Sequence, residues 1–200
     1  VWGAGPVGLF AIQSARIMGA ETIIAIEKQP ERIAMARRAG ATHVIDYSQD
    51  NVLEALKELT GGKGPEKCID AVGIEADGGD VLHTLFDRTL TAMKFETERP
   101  IALREAIIAC QPGGIISIPG VYGGIPAFVP FGAAFQKGLT LRMGQTHVNR
   151  WADDLLRRVL EGEIDTTFMI THRGGLEDGP ELYRTFRDKK DGCVKVVLTP

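Results

Sequence analysis

Two periods of apolar spacing alternate along the chain. Between Val7 and Met18 the small and apolar residues Val7, Phe10, Ala11, Ser14, Ala15 and Met18 fall at i, i+3, i+4 intervals. That spacing predicts a helix with one buried face, stopped by Gly19. Thr22 to Ile26 is instead an unbroken β-branched and apolar run, as expected of a strand covered on both faces. Pro30 marks a helix start, where its missing N–H costs nothing, and this helix should end near Gly40. His43 to Ile45 then reads as a short strand, Gln49 to Leu59 as a helix closed by Gly61-Gly62, and Lys67 to Val72 as a further strand.

The alternation pauses over the polar stretch Asp77 to Arg99, which is too long for a simple connection and reads as an inserted functional cover or loop. It resumes with a helix at Ile101 to Cys110, a strand at Ile115 to Ile118, a Pro- and Gly-rich passage from Pro119 to Pro130, a helical stretch at Phe131 to Gln136 and a strand at Leu139 to Met143. Beyond about residue 147 the pattern changes to two amphipathic helices, Trp151 to Leu160 and Leu176 to Lys189, and a last strand at Val194 to Leu198. Strands alternating with helices predict a parallel α/β sheet, and the change near Thr146 divides the chain into residues 1–146 and an appended segment, 147–200.

Composition narrows the partners. A net charge of −3 without a Lys/Arg cluster speaks against nucleic acid and against a membrane surface, and no apolar run approaches the roughly 20 residues of a membrane span. The three cysteines, Cys68, Cys110 and Cys193, form no CxxC pair. An odd, scattered set predicts reduced, buried thiols in a cytoplasmic protein.

The first chemistry lies at the start. Gly3-Ala4-Gly5-Pro6-Val7-Gly8 is a GxGxxG between a strand end, Val1-Trp2, and the first helix. In such a loop Gly3 permits the tight turn, Gly5 lets backbone approach a pyrophosphate, and Gly8 lets helix pack on strand. Pro6 and Val7 open the helix whose positive end receives the anion. Glu27 ends the second strand about 20 residues on, where an acid accepts hydrogen bonds from the adenosine ribose hydroxyls and repels a 2′-phosphate. The motif and the acid together predict a doubly wound Rossmann sheet binding NAD in preference to NADP. The alternatives are a chance Gly-rich turn, a solvated strand-end charge, and a methyltransferase or flavoprotein, which also places an acid after its second strand; Lys28 beside Glu27 softens the preference for NAD. Because only two residues precede Gly3, where a feeding strand has about five, the chain is expected to be a fragment of a longer protein.

Those residues, with Cys68-Ile69-Asp70-Ala71-Val72-Gly73, Pro112-Gly113-Gly114 and Pro119-Gly120-Val121-Tyr122-Gly123-Gly124, resemble the zinc-dependent medium-chain alcohol dehydrogenase family. Within it, the insertion after Gly73, Leu141-Arg142-Met143-Gly144-Gln145-Thr146-His147 and Asp191-Gly192-Cys193-Val194-Lys195-Val196-Val197-Leu198 look like the glutathione-independent formaldehyde dehydrogenase branch. The resemblance implies that Arg32 lies along the adenosine ribose and that Val72 flanks the cofactor at the end of the fourth strand. It implies that Pro119 and Val121 line a nicotinamide pocket closed from the other side by Gly144, Gln145 and Thr146, and that Lys195 faces the pyrophosphate. Surface charge remains the other reading of Arg32 and Lys195, and plain core that of Val72 and Val121.

The same resemblance implies an amino-terminal catalytic domain that this chain lacks. The zinc ligands would lie outside the chain, since no Cys, His, Asp and Glu set in it has ligand spacing. The chain is therefore expected to bind cofactor without catalysing the oxidation of an alcohol or hydrated aldehyde. Its segment 147–200 would belong to the incomplete catalytic domain and leave apolar surface exposed, altered in packing or partly disordered. Pairing through the sheet edge at Leu139 to Met143 would give a homodimer. Two other functions stay open: a polyol or threonine dehydrogenase relative, and a non-catalytic NAD-binding module.

Overall fold

The computed structural model describes residues 1–73, 100–122 and 128–200. The inserted stretch Asp77 to Arg99 and residues 123–127 of the Pro- and Gly-rich passage lie outside the described residues. At the centre of the fold, Trp2 stands where a strand belongs, bridging in parallel to Ile26 on one side and Asp70 on the other. The Ile26 N–H donates to the Val1 carbonyl and the Gly3 N–H to that of Ile26, both at 2.9 Å. On the opposite edge, the Trp2 N–H donates to the Ile69 carbonyl at 2.9 Å and the Ala71 N–H to that of Trp2 at 3.0 Å.

Around this seam, β1 (Ile24–Ile26) pairs in parallel with β2 (His43–Ile45). On the other side β3 (Lys67–Ile69), β4 (Ile115–Ile118) and β5 (Thr140–Met143) form a parallel set in that order. The sheet therefore runs β2-β1-Trp2-β3-β4-β5. The chain steps outward to one side of its first strand, then returns and steps outward on the other, which is the doubly wound dinucleotide-binding order.

Two helical layers cover the sheet. Helices α1 (Pro6–Ile17) and α2 (Pro30–Ala39) bury Leu9, Ile12, Ala36 and Ala39 against Ile23 and Ala25. On the other face, α3 (Val52–Leu59), α4 (Ile101–Ala109) and α5 (Phe131–Gln136) contribute Val52, Leu56, Ala102, Leu103, Ala106, Ile107 and Ala134 to a core with Ile24, Ile26, Ile45, Cys68, Ile116 and Ile118. Successive strand residues point to opposite faces, so Ile23 and Ala25 serve one core while Ile24 and Ile26 serve the other. That explains why no polar residue interrupts the run.

Side chains trim several elements relative to their apolar patterns. The first paired strand begins at Ile24 because the Ile23 N–H donates to Thr42 Oγ1 at 2.9 Å. Helix α3 begins at Val52 rather than Gln49, since Asn51 Oδ1 caps it by accepting from the N–H groups of Leu53 and Glu54. Asp46 meanwhile holds Ser48 and Gln49 in a preceding turn.

The last part of the chain carries a second, two-stranded sheet. Helix α6 (Val148–Leu160) is followed by β6 (His172–Gly175), a 3-10 turn over Leu176–Asp178, α7 (Gly179–Arg187) and β7 (Val196–Thr199), with β6 and β7 paired in parallel. No residue of α6 or α7 is buried. Val148, Trp151, Leu155, Leu156 and Leu160 on α6, and Tyr183 and Phe186 on α7, are exposed. The opposite side of α6 carries a charge network in which Asp154 binds Arg157 at 2.8 Å and Arg158 at 3.0 Å, with Arg157 also paired to Glu161. Four residues of this segment are buried, Cys193 and, against the α1–α2 layer, Phe168, Met169 and Val194. Arg38 stacks over the Phe168 ring at 5.6 Å. Among the described residues no helix is long and apolar enough to cross a membrane.

Candidate cofactor site

The carboxyl ends of the strands around Trp2 carry the Gly-rich loop. Gly3 adopts φ +84°, and a Cβ there would stand 2.7 Å from Val72 Cγ2. A Cβ on Gly8 would fall 1.9 Å from the Gly3 carbonyl oxygen, so helix α1 can begin this close to its strand only without a side chain. Gly5 differs from both: the nearest atom to a Cβ there is Arg32 Nη1 at 4.0 Å, which leaves its outer side open. Gly5 is also the N-cap of α1, without a side-chain cap, and Pro6 takes the first helical position. The N–H groups of Val7 and Gly8 stand in the first turn of α1, where a helix supplies them no acceptor and its positive end lies, beside Gly5.

Glu27 closes the loop from the side of β1. It is 4% exposed. Its Oε2 accepts from the Ala4 N–H at 3.0 Å, tying the loop to the strand, and its Oε1 accepts from the N–H groups of Lys28 and Gln29 at 2.9 and 3.1 Å. Arg32 Nη1 lies 3.8 Å from Oε2. Each carboxylate oxygen offers about two acceptor sites, so capacity remains for a ligand hydroxyl. Beside the acid, the Lys28 ammonium sits 5.4 Å from the centre of the Tyr47 ring, a pairing that the apolar spacing did not disclose.

On the other side of Trp2, the loops after β3 and β4 meet backbone to backbone. A Cβ on Gly73 would stand 2.5 Å from the Val121 nitrogen, and the Gly120 N–H donates to the Asp70 carbonyl at 2.9 Å. The fold thus brings Gly3, Gly5, Gly8, Glu27, Arg32 and Val72 around one loop, and packs Val121 and the residue after Pro119 against Gly73. Pro119 and Val121 are exposed there. Gly144, Gln145 and Thr146 follow β5 at the far end of the sheet and are exposed. Lys195 is exposed just before β7, where its carbonyl accepts from the Thr171 N–H at 3.0 Å.

Asp70 was not singled out from the sequence, and it is fully buried. Its Oδ1 accepts from the N–H groups of Val72 and Gly73 at 3.0 and 3.1 Å, and its Oδ2 from the Tyr122 hydroxyl at 2.6 Å. A lone carboxylate within the apolar run Cys68 to Val72 is the signal that could have marked it, since an Asp is rarely buried without donors. Beneath it, Cys68 and Cys110 are both buried in the α3–α4 core. The contact with Cys110, together with burial, pushes the Cys68 thiol far above its ordinary value.

The donor sets fit one implied group and not the other. The open cradle at Gly5 beside a buried acid suits a dinucleotide. Among the described residues no three His, Cys, Asp or Glu side chains stand together as a metal would require.

Residues 6–85 match the family model described as zinc-binding dehydrogenase. The whole chain is 33% identical over 201 residues to an uncharacterized zinc-type alcohol dehydrogenase-like protein of Bacillus subtilis, covering 52% of that relative. The glutathione-independent formaldehyde dehydrogenase of the same organism is more distant, at 28% over 214 residues, with 99% of this chain and 48% of that protein covered. Among solved structures, the alcohol dehydrogenase TADH from Thermus sp. ATN1 superposes with a TM-score of 0.78 at 30% identity, over 99% of this chain and 50% of that one. The chain spans about half the length of these relatives. Residues 6–85 thus match the zinc-binding dehydrogenase model, and along its whole length the chain is similar to about half of a zinc-type alcohol dehydrogenase-like protein and of an alcohol dehydrogenase of known structure.

Proposed function

We propose that this chain is the NAD(H)-binding part of a zinc-dependent oxidoreductase that moves hydride between NAD and an alcohol, or a hydrated aldehyde such as formaldehyde. The observation that carries the reading is Glu27, a buried carboxylate fastened to the loop at Ala4 and flanked by Arg32. In this reading the open face of Gly5 and the first turn of α1, with Pro6, Val7 and Gly8, receive the pyrophosphate, and Lys195 supplies a further positive charge toward it. Glu27 takes the adenosine ribose hydroxyls, with Arg32 alongside and Val72 at the edge of the pocket. Pro119, Val121 and the backbone of Gly144, Gln145 and Thr146 hold the nicotinamide, whose ring gives or takes the hydride when bound. These residues bind and orient; the zinc and its ligands, the substrate pocket and the proton path belong to residues outside this chain.

Residues 1–146 form the nucleotide-binding unit in this proposal. Residues 147–200 would be the returning part of a catalytic domain, whose missing portion covers the apolar faces of α6 and α7, and two copies would pair through the edge of β5. The formaldehyde dehydrogenase-like branch rests on the resemblance of the run Leu141 to His147, of the closing residues Asp191 to Leu198 and of the insertion after Gly73. A polyol or threonine dehydrogenase would use the same cofactor half, and substrate trials on the longer protein separate the two.

Calorimetric titration of the 200-residue chain with NADH and NADPH tests the cofactor. A 2′-phosphate against Glu27 is a like-charge contact, so NADH should bind at least about tenfold more tightly. Equal affinities would remove Glu27 from the ribose site, and binding of neither would remove the dinucleotide reading.

A further inference from the structure

We propose that Asp70 and Tyr122 form a clasp that positions the nicotinamide side of the cofactor site without touching the cofactor. The inference rests on the cofactor reading above and assigns a positioning role to two residues outside its binding set.

A doubly wound sheet consists of two mononucleotide-binding halves, so the loops after β3 and β4 serve the half away from Glu27. These two loops touch through glycine backbone: a Cβ on Gly120 would stand 2.5 Å from the Gly73 nitrogen and 2.8 Å from its Cα. Backbone contact of this kind sets a minimum separation but supplies little to hold it. Asp70 supplies the hold. Its backbone carbonyl takes the Gly120 N–H at 2.9 Å, its Oδ1 takes Val72 and Gly73, and its Oδ2 takes the Tyr122 hydroxyl at 2.6 Å. One buried side chain therefore fixes the turn after its own strand and reaches across to the loop of the next.

The Asp70 end of the clasp is fully buried and the Tyr122 end half-buried, away from the water that would compete for a hydrogen bond at the carboxyl. Val121 lies between its two ends in sequence and is 60% exposed, so the fastened loop presents an apolar side chain outward at a fixed height above Gly73. Without the Tyr122 hydroxyl, Asp70 Oδ2 loses that donor in a fully buried place, and the hydrogen bond from the Gly120 N–H to the Asp70 carbonyl remains between the two loops. Glu27 is on the other side of Trp2 and keeps its contacts with Ala4, Lys28, Gln29 and Arg32.

The test compares Tyr122→Phe with the wild-type chain for binding of NADH and of 5′-AMP, which occupies only the adenosine half. Losing one hydrogen bond to a buried carboxylate predicts NADH binding weakened by roughly tenfold, with 5′-AMP changed by less than about twofold. A purely structural role would weaken both together, and an idle hydroxyl would weaken neither; either result overturns the clasp. Asp70→Asn in the Tyr122→Phe background should add little further loss of NADH affinity if the tyrosine acts through Asp70, and an additive loss would count against it. Should the double variant fail to fold, the ratio of the two affinities in Tyr122→Phe alone still decides. Failure of the wild-type chain to bind NADH overturns the cofactor reading and the clasp with it, a result distinct from normal NADH binding in Tyr122→Phe.

Discussion

Gly8 and Gly132 occupy helices under opposite constraints, and alanine separates them. A methyl on Gly8 would collide with the Gly3 carbonyl at 1.9 Å, and backbone cannot swing aside as a side-chain end would. Gly8→Ala should lose about 3 kcal/mol or more in urea unfolding and abolish NADH binding. Gly132, inside α5 with nothing near its missing Cβ, should gain roughly 0.5 kcal/mol as alanine, because the unfolded chain loses freedom. A second residue-scale effect concerns acid. The hydroxyl and N–H of Ser48 hold the Asp46 carboxyl below its ordinary value. A depressed folded value stabilises above the unfolded value and is lost as pH falls through the folded one. Asp46→Asn should therefore lower the urea midpoint at neutral pH, with the difference from wild type fading as pH drops below the ordinary aspartate value of 3.8. At this scale the sequence was legible wherever a motif sets spacing: Gly3, Gly8 and Glu27 stand where loop and strand-end rules put them. Asp70 and Tyr122 were not legible as a pair, because a hydrogen bond between two loops leaves no period in the chain.

Elements follow their apolar periodicity in the middle and their side-chain hydrogen bonds at the ends. Helix α4 shows how strongly an end can be fixed from outside. Lys137, just after α5, donates its ammonium to the carbonyls of Ile107, Ile108 and Cys110 at 3.1, 2.6 and 2.9 Å. A cation on the negative end of a helix, satisfying three otherwise open carbonyls, is a favourable arrangement on both counts. Lys137→Met keeps the length and removes the donors, and should cost about 1–2 kcal/mol in thermal or urea unfolding. No loss would show that water replaces the lysine freely. The β1, β4 and α5 cores were readable because β-branched runs and small-residue stripes mark them. Strand β6 was not, since His172-Arg173-Gly174-Gly175 has neither alternation nor β-branched residues. It exists through its parallel pairing with β7, in which His172 stands beside Val196 and Gly175 beside Thr199.

For the whole molecule, the order of the sheet was legible from the alternation of strands and helices, whereas the arrangement of residues 147–200 was not. The alternation dictates short, same-handed crossovers that leave few topologies. The last fifty residues follow no such rule, and only Phe168, Met169, Cys193 and Val194 among them reach a buried place. Because α6 buries nothing, polar substitution on it should be neutral to stability. Leu156→Gln with Leu160→Gln should leave the urea midpoint within about 0.5 kcal/mol of wild type and reduce self-association in sedimentation. A clear loss of stability would mean that α6 packs on the rest of the chain. The two tryptophans divide along the same line. Trp2 is 3% exposed in the seam of the sheet, its indole N–H donating to Glu105 at 2.8 Å, whereas Trp151 on α6 is half exposed under the Arg150 guanidinium. The chain therefore carries its own pair of optical reporters. Trp2 should emit at the blue end and resist acrylamide, Trp151 should emit at the red end and quench readily, and the two bands should follow the sheet and the tail independently.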